Sequence, residues 1–140
     1  SMLFALILTL YTSKKIINRK KIHLWSLIAG GIGFISMYFI SNHNLLLISF
    51  SLIGISWGSI LSMPYAMLSS SVKEESMGTS MGIFNMFIVI PQIIAAIGGI
   101  NLLTNLIGDK VIFSMVVAGL SLIIAGLLNL LINDKKTISY

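Results

Sequence analysis

Four stretches of this sequence, residues 23–41, 45–69, 77–100 and 111–132, contain no Asp, Glu, Lys or Arg. Each is mostly apolar and close to the roughly 20 residues that a helix needs to cross a hydrocarbon core of about 30 Å. In lipid, every backbone N–H and C=O must find its partner within the segment, so runs of this kind cross as helices. The sequence therefore predicts an all-α, polytopic transmembrane bundle with four full spans. Charged residues make up only 9% of the 140 residues, against about 25% in a soluble domain, which leaves no room for an extramembrane domain. Residues 2–12 form a fifth apolar segment, long enough to cover about half of the core. A basic run follows this segment rather than preceding it, the reverse of a signal peptide. It reads as the end of a helix that begins upstream, and the chain as a fragment.

The net charge of +5 is distributed by side. With these boundaries, Lys14, Lys15, Arg19, Lys20, Lys21, Lys73, Lys135 and Lys136 fall on one side and only Lys110 on the other. The positive-inside rule then makes the 13–22 loop, the 70–76 loop and the C-terminus cytoplasmic, in a multi-pass protein of the cell (inner) membrane. The same distribution explains the basic residues as topology anchors in contact with the bilayer, and it excludes nucleic acid as a partner. There is no cysteine. His23 and His43 sit at span ends and do not read as ligands, so no metal site is expected. The four acids, Glu74, Glu75, Asp109 and Asp134, lie in loops or the tail. Proton relays and ion-coupling sites use ionisable groups within the membrane, so any such group lies outside this sequence. No nucleophile motif, phosphate-cradling loop or paired carboxylate is present, so neither an enzyme nor a cofactor is expected.

Within the spans, small and polar residues carry the information. Trp25 and Tyr38 lie near the two ends of 23–41, where amphipathic rings favour the interface. Gly30, Gly31 and Gly33 would admit another backbone. Residues 41–44 make a tight polar turn, which sets the next helix antiparallel. Gly54, Gly58, Ser62 and Ala66 recur every four residues as a packing stripe, and Pro64 should kink the same helix. In 77–100, Ile83, Phe87, Ile90, Ile94 and Ile97 form a lipid-type stripe, while Gly78, Gly82, Asn85, Val89 and Gln92 fall on the opposite side. Gly78 and Gly82 match a helix-packing pattern. An unsatisfied amide in hydrocarbon costs roughly 2–7 kcal/mol, so Asn85 and Gln92 need a protein interior or a wet cavity. They read either as interhelical hydrogen bonds or, with Trp57 and Tyr65, as a site for a sugar, which amides and aromatic faces bind. Pro64 and Pro91 read as static kinks or as bending points during alternating access.

Residues 56–99 carry a further signal. Met63-Pro64-Tyr65-Ala66-Met67-Leu68-Ser69 precedes the loop; Gly78, Gly82-Ile83-Phe84-Asn85 and Ile88-Val89-Ile90-Pro91-Gln92 follow it. This pattern resembles the major facilitator superfamily and, within it, the sucrose/maltose-type sugar transporters. The resemblance implies the C-terminal part of a twelve-helix fold, with 77–100 as its cavity-facing eleventh helix and 45–69 as its tenth. It implies cation-coupled transport of a disaccharide-like solute and, as partner, the N-terminal half of the same transporter. The superfamily's cytoplasmic loop signature is met only in part. Arg19-Lys20 keeps the terminal basic pair, Asn18 stands where Gly would be (a residue that tolerates the left-handed conformation), and Lys15 replaces the acid. An alternative from another class is a small four-helix membrane protein that self-assembles or scaffolds a partner, with its glycine stripes as oligomer contacts.

Overall fold

Helix start signals in this chain are amide side chains. Asn18 is extended (φ −74°, ψ 90°) and accepts a hydrogen bond from Lys21 N, so helix α1 (Arg19–Phe39, 21 residues) begins there. Asn42 does the same for α2 (His43–Ser71, 29 residues), accepting from Asn44 N at 3.0 Å. Both residues satisfy backbone donors that the first turn of a helix leaves without partners. A 3-10 turn (Glu74–Ser76) leads into α3 (Met77–Ile94), whose end widens into a π-helical turn (Ala95–Gly99). The last helix, α4, covers Val111–Asn129. The computed structural model describes residues 18–99, 105 and 111–132; the expected partial helix at 2–12, the tail at 133–140 and most of the 101–110 connection lie outside the described residues. All the regular structure among the described residues is helical. Four of the helical segments are long and apolar enough to cross a membrane.

Several boundaries differ from expectation. The first span starts at Arg19 rather than at residue 23, so Arg19, Lys20 and Lys21 lie in its first turn and not in a loop. Cations at a helix N-terminus oppose the macrodipole. Here two of them reach across to the C-terminal ends of neighbouring helices, where the dipole is negative. Arg19 Nη1 donates to Ala66 O of α2 at 2.9 Å, and Lys20 Nζ donates to Leu130 O just past α4 at 2.9 Å. Asn18 is a cap in extended conformation and does not use the left-handed geometry that its side chain tolerates. The second span is longer than 45–69, because Asn42 caps it earlier and serine hydroxyls serve the carbonyls of its last turns: Ser70 and Ser71 both donate to Met67 O.

Helix α1 is central and packs on both α2 and α4, running antiparallel to each. Its glycines make this possible. A Cβ on Gly30 would overlap the side chain of Ser56, and one on Gly33 would lie 2.9 Å from Ser49 O. A Cβ on Gly31 would lie 2.7 Å from Gly119 O of α4. The interior is accordingly made of small residues. Among the described residues, Ser49, Ser56 and Ser59 are the largest fully buried side chains, and only Leu27, Met63 and Met67 are buried hydrophobics. Large apolar residues point outward instead, as suits helices surrounded by lipid, where association rests on close packing and interhelical hydrogen bonds. The Ser36 and Ser49 hydroxyls, hydrogen-bonded at 2.7 Å, tie α1 to α2.

Helix α3 departs from this pattern: none of its residues is buried. The two faces expected to differ are both exposed. Ile83, Phe87, Ile90, Ile94 and Ile97 are open, and so are Asn85 and Gln92. The reason is that no other described helix lies along its length; it meets α2 near the hairpin only.

Candidate functional site

Two polar assemblies stand out, both toward the end of the bundle that carries Arg19 and Lys20. The first joins α2 to α3. Tyr65 Oη donates to Asn85 Oδ1 at 2.6 Å, and the Tyr65 and Phe84 rings meet edge-on with centroids 5.0 Å apart. Edge-to-face geometry is the favoured arrangement for such a pair. Trp57 is 55% exposed on α2, and Gln92 is exposed on α3. Each lies two turns from the Tyr65–Asn85 bond, about 11 Å along its own helix. Because the helices run in opposite directions, Trp57 and Gln92 come to a similar depth. The structure thus brings Tyr65 and Asn85 into contact, with Trp57 and Gln92 a level further along the hairpin.

The remaining candidates are spread out. Pro64 and Pro91 both sit inside helices. After Pro91, which cannot donate, the Ala95 N–H is shared between the Pro91 and Gln92 carbonyls as the helix passes into its π-turn. Gly58 is buried and Gly54 half-buried, while a Cβ on Gly78 or Gly82 would meet nothing within 4 Å. The buried residues of α2 are Ser49, Ser56, Gly58, Ser59, Met63 and Met67; of the expected stripe at 54, 58, 62 and 66, Gly58 is among them and the other three are half-buried.

The second assembly was not anticipated. His23, placed by sequence reasoning at a span end, lies within α1 and is buried; its Nδ1 is hydrogen-bonded at 2.8 Å to Ser59 Oγ, a side chain at 0% exposure. On the other flank of α1, Asn129 Nδ2 donates to Lys20 O at 2.9 Å. Asn129 is 4% exposed, and its Oδ1 has no hydrogen-bond partner among the described residues. His23 and Asn129 both line a cavity of about 580 Å³ whose other walls are mostly apolar, including Pro64, Met67, Phe84 and Leu128. The signal that singled out Asn85, an amide inside an apolar run, was equally present at Asn129. Among the described residues, no group of three or more His, Cys, Asp or Glu could hold a metal ion. Ser59→Ala strands the buried His23 nitrogen and is expected to lower stability by about 1–3 kcal/mol. Thermal unfolding in detergent should show His23→Phe with Ser59→Ala costing less than the sum of the two single changes.

Apolar helices of membrane-crossing length, held together by glycines and serines, define an integral, multi-pass membrane protein. The family model of the Major Facilitator Superfamily matches residues 1–139. The chain belongs to that superfamily, and hence to the membrane transport proteins. Neither a curated protein nor a solved structure matches it.

Proposed function

We propose that this chain forms part of the pathway of a sugar transporter that carries a disaccharide-like solute, coupled to a cation, by alternating access. The observation that carries this reading is the Tyr65–Asn85 hydrogen bond across the α2–α3 hairpin. A half-buried phenol and an exposed amide share one level, with an exposed indole and a second exposed amide at the next. Sugars present hydroxyls to amides and C–H faces to aromatic rings, and this hairpin offers both. On this reading further helices of the same transporter supply the coupling group and the other wall of the pathway. The basic end is cytoplasmic, by the charge count of the sequence.

Uptake of radiolabelled maltose and sucrose by proteoliposomes carrying the whole transporter tests this. Asn85→Ala and Gln92→Ala are each expected to weaken apparent affinity about tenfold, the value of one good hydrogen bond with its desolvation, with expression unchanged. Normal uptake by both variants would remove the binding role and leave a packing role. The self-assembly alternative draws on one observation, the open surroundings of Gly78 and Gly82 on the uncovered α3. Disulfide crosslinking of Gly82→Cys between copies distinguishes it, since a single-copy transporter gives none.

A further inference from the structure

Helix α1 has a face that neither α2 nor α4 covers. Gly30 and Gly33 lie against α2 and Gly31 against α4. Lys21, Trp25, Ile32 and Phe39 are instead exposed, the last three over about half their surface or more. At 3.6 residues per turn these four fall within about 40° of one another, so they form one stripe along the helix. The stripe has the order of a phospholipid. Lys21 carries a charge at the helix end, and Trp25 stands one turn further in. Ile32 lies about 16 Å from Lys21, close to half of a core about 30 Å thick. An indole suits the level between, where its N–H can donate to a polar group while its ring lies in hydrocarbon. The local field then selects the sign of the head. The start of α1 is the positive end of its dipole. Neighbouring Lys20 is held at 2.9 Å by Leu130 O, a carbonyl with no charge to cancel its own. Lys21 thus stands exposed beside a second ammonium and a positive helix end, a setting that favours an anion.

We infer that this stripe is a binding site for an anionic phospholipid of the phosphatidylglycerol type. The lipid phosphate pairs with the Lys21 ammonium, an ester carbonyl accepts from the Trp25 indole N–H, and an acyl chain follows Ile32 into the bilayer. A soluble anion could use only the first of these contacts, which is why the stripe specifies a lipid. The site is separate from the Tyr65–Asn85 level and holds whatever solute the protein carries. An anion at Lys21 also offsets the unfavourable charge in the first turn of α1, the helix on which α2 and α4 both pack.

The test uses the full chain carrying Trp57→Phe, which leaves Trp25 as its one tryptophan. Its fluorescence is followed in dioleoylphosphatidylcholine bilayers as dibrominated phosphatidylglycerol or dibrominated phosphatidylcholine replaces the host lipid. Bromine quenches on contact, so the two curves give the relative affinity of the two heads for the surface at Trp25. Phosphatidylglycerol is expected to bind about fivefold more tightly, the value of one lysine beside an anionic head. Lys21→Gln should reduce that preference to about twofold or less, and Lys21→Arg should keep it. Lys73→Gln removes another exposed cation, from a turn that also carries Glu74 and Glu75, and should leave the preference unchanged. Equal affinity for the two lipids, or a preference that survives Lys21→Gln, overturns the proposal. So does an equal loss in Lys73→Gln, which would show diffuse charge gathering the lipid. Relief of the quenching by glycerol 3-phosphate would reveal a soluble-anion site and overturn it as well.

Discussion

Gly31→Val is expected to separate α1 from α4 and to cost about 3 kcal/mol, at the upper end of the range for overpacking. The reason is what the new side chain would meet. A Cβ at this position lies 2.7 Å from Gly119 O and 2.5 Å from Ile123 Cγ1. The isoleucine can turn away, but the carbonyl oxygen belongs to a helix backbone and moves only if the helices part. Interiors packed at close to crystalline density have no slack to absorb this. Gly82→Val is the natural control, because a Cβ there meets nothing within 4 Å. Thermal unfolding in detergent reads the difference. If Gly31→Val unfolds no earlier than Gly82→Val, the close backbone approach of α1 and α4 is wrong.

Arg19→Ala should have the next largest effect, a loss of about 1.5–3 kcal/mol, the value of hydrogen bonds made by a charged donor. Arg19 Nη1 donates to Ala66 O at 2.9 Å and to Ser70 Oγ at 3.2 Å. Both acceptors belong to the last two turns of α2, the negative end of that helix's dipole. Removing the guanidinium frees those groups and leaves α1 without one of the contacts that offset its unfavourable first-turn charge. Arg19→Lys keeps the charge but not the planar fork, so it should recover only part of the loss. Full recovery by lysine would mean that charge alone matters; urea titration of the three proteins separates the cases.

The spans could be read from the sequence because lipid imposes one solution on an uncharged apolar run of this length. The glycine contacts at 30, 31 and 33 were legible for a similar reason: only a missing side chain lets two helix backbones approach so closely. The helix start at Arg19 was not, because cations read as loop residues until their acceptors on α2 and α4 are known. The buried line Ser49–Ser56–Ser59 was also missed. A serine says little about its surroundings in sequence, and here its burial depends on glycines that stand opposite it on α1. The Tyr65–Asn85 pairing follows from the short 72–76 connection, which sets residues on either side of it at matching depth. The uniform exposure of α3 has no counterpart in its sequence, whose two faces differ clearly.

The helices also differ in length, and a bilayer must accommodate that difference. At 1.5 Å per residue, the 29 residues of α2 measure about 43 Å, whereas the hydrocarbon core is about 30 Å thick. The 19 residues of α4 come to about 28 Å and just fit. Since α1 holds both, α2 cannot shorten its path by tilting without carrying α4 out of register. The excess must project into the headgroup layer, and the serine-rich last turns of α2 are suited to it. A thicker bilayer would immerse those turns and stretch past α4, while a thinner one would leave them in water. The protein is thus matched to a hydrophobic thickness set by α4, the shorter of these two helices, and lipid chain length becomes a variable to which it should respond.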